Sequence, residues 1–182
     1  MSIYKIKMLF FFGALIATIF FFVAVSAYSA DFSADGGFSY GSGSGANPLH
    51  SLSPVVGAEY TFHLTPGLSL GGFYDHTFLS YVDGGTGAIH FMGGVLRAGL
   101  PGHGFLDLKV GLTKLESNEA GINPVTTNVA IGAEMGVGYE IKLSDSIGLT
   151  PRAAVRFLPD PTTTSAALRP SPTGGVMLTF HF

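Results

Sequence analysis

Six histidines, His50, His63, His76, His90, His103 and His181, are the side chains in this 182-residue sequence best suited to acid–base or metal chemistry near neutral pH. None stands at a recurrent metal spacing such as His-Glu-x-x-His. The chain has no cysteine, which excludes thiolate sites, disulfides and Cys nucleophiles; no metal or cofactor is expected. His76 and His90 flank a short link at 80–87, and antiparallel pairing about its centre sets them side by side, with Ser80 on the same face. A serine becomes a nucleophile when a neighbouring base takes its proton, so His76, Ser80 and His90 form the catalytic candidate. The compact His-x-Ser element is missing, because Thr77 and Phe78 follow His76. Two amphipathic rings resting at the headgroup level of a membrane account for the pair without chemistry. His63 and His181 are expected to face inward near a rim, with His50 in a loop and His103 in a turn.

The elements that position these residues are written in period two. From Val129 to Leu143 every odd position is apolar and every even one is small or charged. Leu106–Leu115, Ile147–Phe157 and Val176–Phe182 alternate in the same way. Strands turn successive side chains to opposite faces, so each segment has one oily side. Less regular stretches at 32–41, 54–64, 68–79 and 88–100 bring the count to eight strands. Thr65-Pro66-Gly67, Pro101–Gly104 and Ser144-Asp145 read as tight turns, whereas the links near 42–53, 80–87, 116–125 and 158–172 are longer and rich in Gly, Ser, Asn, Thr and Pro. Antiparallel order then gathers the short turns at one rim and the long loops at the other.

Alternation alone fits two all-β architectures, a soluble lipocalin-like barrel and a barrel turned outside in, and the polar face decides between them. A water-facing exterior needs many charges, but only 12% of the residues are charged, against about 25% in ordinary domains. On the polar face Glu59, Asp75, Asp107, Glu134 and Glu140 stand against Arg97, Lys109, Lys142, Arg152 and Arg156. Five against five suits a closed interior, where buried charges need partners. Glycines on that face leave room for long side chains from the opposite wall. The reading is an eight-stranded antiparallel transmembrane β-barrel, closed because lipid offers backbone groups no hydrogen bonds. Its lumen is expected to be filled by its own side chains. With no Trp in the chain, an interfacial aromatic girdle falls to Tyr60, Phe62, Tyr74, Phe78, Tyr139 and Phe157.

Lys5 and Lys7, an apolar run from Met8 to Val25 and a small-residue exit read as a secretory signal peptide over 1–27, with cleavage possible up to Ala30. The barrel domain is assigned to 31–182. Beyond residue 27 seven basic residues face twelve acidic ones, which excludes the basic footprint of a nucleic-acid binder.

On the strand rhythm and the ending Val176-x-Leu178-x-Phe180-x-Phe182, the chain resembles the small eight-stranded outer-membrane proteins of Gram-negative bacteria, the OmpA/OmpX and opacity-protein-like barrels. The resemblance implies an integral outer-membrane location and contact with membrane lipid and lipopolysaccharide. It also implies that the outer-membrane assembly machinery recognises Val176, Leu178, Phe180 and Phe182. The expected role is non-catalytic, structural or adhesion-like, through four long loops that meet a host or surface ligand. The alternatives are a lipid A-modifying enzyme and a narrow channel for small or hydrophobic solutes.

Overall fold

The computed structural model describes residues 29–40, 52–80, 84–118, 128–159 and 168–182. The segment read as a signal peptide and His50 lie outside the described residues, as do 41–51, 81–83, 119–127 and 160–167 of the long links. The chain forms eight antiparallel strands: β1 (Ala30–Tyr40), β2 (Leu52–Thr65), β3 (Leu68–Ser80), β4 (Thr86–Gly99), β5 (Gly104–Asn118), β6 (Asn128–Tyr139), β7 (Ile147–Pro159) and β8 (Leu168–His181). β6 resumes past Glu140 as Ile141–Lys142, in unchanged register against β7.

Each strand pairs with its chain neighbours, and β1 also pairs with β8, which closes the sheet. The register fixes the shape. From Gly138 it passes through Arg152, Gly175, Gly37, Val55, Thr77, Ile89 and Leu115, and it re-enters β6 at Asn128, ten residues away. Such a stagger tilts barrel strands by about 35–45° to the axis. The seam holds to its end, where Phe182 N–H donates to the Ala30 carbonyl at 2.9 Å.

The oily rows point outward. Leu106, Leu108, Val110 and Leu112 on β5 and Val129, Ile131, Met135 and Val137 on β6 are all exposed, as are Val155 and Phe157 on β7. No soluble protein presents so continuous an apolar belt, whereas a bilayer requires one. Tyr60, Tyr74, Phe78, Tyr139 and Phe157 of the expected girdle are exposed on this surface, with Phe62 half-buried. The tight turns join β2 to β3, β4 to β5 and β6 to β7. In the second of them Gly102 and His103 both adopt left-handed backbone, at φ 75° and 70°.

β8 begins earlier than the sequence suggests. The span 158–172 reads as a loop because of its prolines, yet Pro170 and Pro172 lie within the strand, opposite Phe157 and Val155. Residues of one parity direct both backbone polar groups to one neighbour, so two same-parity prolines deprive only one flank of donors. Pairing with β7 runs on to Leu168, while pairing with β1 stops at Thr173. There the Ser171 hydroxyl donates to the Tyr40 carbonyl at 2.7 Å in place of the ladder.

Candidate functional site

The inner face carries the chemistry, and its centre is a closed ring of alternating charge. Glu59 meets Arg97 at 2.6 Å, and Arg97 meets Asp107 at 3.7 Å. Asp107 accepts Nε and Nη2 of Arg152 at 2.9 and 2.8 Å, a bidentate pair. Arg152 and Arg156 both donate to Glu134, and Arg156 donates to Asp75 at 2.5 Å. Lys109 completes the circuit, 3.6 Å from Asp75 and 3.4 Å from Glu59. Every charge has an opposite neighbour on either side. Asp75, Glu134, Arg156, Asp107 and Lys109 are 2% exposed or less, so most of the ring is shut off from solvent.

Glycines give these side chains their room. A Cβ at Gly136 would collide with Asp107 and Arg152, and one at Gly132 with Leu158 and Thr113. Toward the long-loop rim the lumen is filled by Phe73, Leu79, Ile89, Phe91, Val95, Leu115 and Leu158, all buried. Phe73 and Phe91 meet edge to face at 4.6 Å, and the Lys109 ammonium sits 4.8 Å from the Phe73 ring centre. This plug is absent from the sequence reading, although Arg97 and Asp75 set the phase that points Val95, Phe91 and Phe73 inward beside them.

Toward the turn rim the lumen opens into a basin of about 470 Å³, floored by Arg97 and Met177. Its wall carries a chain of polar contacts. Ser69 bonds His63 at 2.8 Å, His63 reaches Asp31 at 3.1 Å, Asp31 meets His181 at 2.8 Å, and His181 lies 3.2 Å from Glu140. Glu140 thus belongs to the mouth rather than to the central ring. Lys142 is corrected outright: it is exposed at the rim, with no ion pair among the described residues. Past Glu140 the wall has reached the turn, and the Lys142 side chain stands exposed there. Among the described residues, no group of three or more His, Asp or Glu is arranged to hold a metal.

On the outer surface His76 and His90 do meet, with Nδ1 atoms 3.4 Å apart. His90 also lies 2.7 Å from the Tyr74 hydroxyl and 3.7 Å from Glu116, itself paired with Lys114 at 2.5 Å. Ser80 is not part of this group. It pairs in register with Thr86, four residues along β3 from His76, which at strand rise is about 13 Å. That is beyond the reach of a base. Val176, Leu178, Phe180 and Phe182 share the outward face of β8, with Phe180 stacked on Phe32 of β1 at 6.5 Å.

No family model matches the chain, and no curated protein matches it in sequence. Solved structures do match it in fold. The N-terminal β-barrel domain of Pseudomonas aeruginosa OprF is similar over 85% of this chain and 97% of its own, with TM-score 0.53 and 13% identity. Ail, the attachment invasion locus protein of Yersinia pestis, crystallised with the heparin analogue sucrose octasulfate, is similar over 85% and 99%, with TM-score 0.56 and 10% identity. Ail in a phospholipid bilayer nanodisc gives TM-score 0.53 and 11% identity over 86% and 100%. At such identities the likeness is one of fold, and it agrees with the belt, the closure and the buried ring: the chain is an eight-stranded transmembrane β-barrel of the outer-membrane type, integral to a bacterial outer membrane.

Proposed function

We propose that this barrel is a non-catalytic surface-interaction protein, whose outer loops meet a ligand while the barrel serves as a rigid, plugged mount. One observation carries the reading: the ring and the apolar plug occupy the lumen together, which disfavours solute passage. The distance from Ser80 to the histidine pair disfavours lipid A hydrolysis. Binding residues concentrate on loops held by a rigid scaffold. Ail, crystallised with a sulfated sugar, is a precedent for ligand binding by such a barrel. The ligand differs in kind here. The links 41–51, 81–83, 119–127 and 160–167 contain no Lys or Arg, so they suit a neutral polar surface rather than a polyanion.

The test compares bacteria displaying the wild type with bacteria displaying a variant whose 160–167 segment is shortened to Asn-Gly. The expected result is several-fold weaker adhesion to an epithelial monolayer, with the heat-modifiable mobility of the barrel retained. Unchanged adhesion, or steady conductance of the wild type in planar bilayers, would overturn the reading.

A further inference from the structure

Outside the ring, one carboxylate of the lumen has no partner. Asp35 on β1 faces inward, opposite Gly57 of β2, and makes no hydrogen bond or ion pair among the described residues. Across the same glycine lies Asp75, which spends Oδ2 on Arg156 and Lys109. Its Oδ1 is fully buried and has no hydrogen-bond partner. A side chain at Gly57 would collide with Oδ1 of Asp35 and Oδ1 of Asp75 at once, so the two carboxylates meet over this residue. A cavity of about 20 Å³, lined by Asp35, Arg152 and Thr173 among apolar groups, adjoins Asp35 and has room for one water. Arg152 cannot compensate Asp35, because its guanidinium is committed to Asp107 and Glu134. The central lumen therefore holds five carboxylates, Asp35, Glu59, Asp75, Asp107 and Glu134, against four cations, Arg97, Lys109, Arg152 and Arg156. Asp75 is wholly buried and Asp35 half-buried, and charge taken out of water needs a partner.

We propose that Asp35 and Asp75 hold one monovalent cation between them, an alkali ion or a proton, as the fifth positive charge of the lumen. The site goes beyond the surface role and does not depend on it. Lys109, Arg156 and Glu134 face it on the Asp75 side and Arg152 on the Asp35 side, so divalent binding would over-compensate a deficit of one.

The test measures the melting midpoint of the full barrel refolded in detergent, in sodium chloride and in N-methylglucamine chloride of equal ionic strength. An occupant that binds only the folded state raises the midpoint by about 3–6 °C at tenfold its dissociation constant. A rise with sodium at alkaline pH identifies an alkali ion. A rise on mild acidification without any sodium effect identifies a proton, accompanied by the infrared carbonyl band of a protonated carboxyl. Either response must vanish in Asp35→Asn, which removes the like-charge contact and keeps the shape; Asp35→Ala serves if that variant does not refold. A wild-type midpoint indifferent to both sodium and acid, or a response undiminished in the variants, overturns the proposal.

Discussion

The two ends of the lumen are built from the same alternating strands, yet they differ in kind. On the long-loop side seven apolar side chains pack over a largely buried ionic ring. On the turn side a basin of about 470 Å³ admits water to histidines and carboxylates. The contrast follows from what the inward rows carry. β3, β4 and β5 present Phe, Leu, Ile and Val inward as they approach the long loops. β1, β2 and β8 present Asp31, His63 and His181 inward as they approach the turns. A barrel of this width holds either side chains or water at a given height, so the choice of residue sets where the lumen ends. The blind end faces the side where the long loops lie, which places any binding there on the loops.

Glu134→Ala is the strongest way to break this contrast. It leaves Arg152 and Arg156 buried beside an empty place in the ring, and a loss of about 3–5 kcal/mol is expected in urea unfolding of the refolded barrel. Phe91→Ala comes next. It removes the ring that meets Phe73 at 4.6 Å, and about 3 kcal/mol of stability is expected to go with it. At the basin Glu140→Gln is expected to cost about 1 kcal/mol or less in the same measurement, since the amide keeps an oxygen for the contact with His181 and strands no buried cation. If the basin variant cost as much as the ring variant, the division of the lumen into a dry half and a wet half would fail.

Much of this is legible in the sequence, because a period of two ties every residue of a strand to one phase. Once Arg97 is assigned inward, Val95, Phe91 and Ile89 follow, and the eight members of the ring follow in the same manner from their own strands. Two things escape that logic. Phase tells which way a side chain points and not how far along the axis it sits, so Glu140 and Lys142 read as ring members although they lie at the rim. The partnerless Asp35 escapes for another reason: Phe32, Ala34, Phe38 and Tyr40 mark the outward row of β1 and so place Asp35 inward, but phase does not tell whether a cation lies across the lumen from it. Proline misleads differently. It marks a lost donor, but in a closed barrel the loss touches one neighbour only, and β8 carries two without breaking its pairing to β7.

The seam between β1 and β8 has a consequence for how the molecule is made. Ala30 and Phe182 lie side by side although nearly the whole described chain separates them, and β1 finds one of its two partners only when β8 arrives. Until that moment both outer strands bear bare N–H and C=O groups, which invite pairing with any other extended polypeptide. Contacts so remote in sequence also form slowly. Closure therefore waits for β8, and the edges of the sheet stay open to other strands until it is in place.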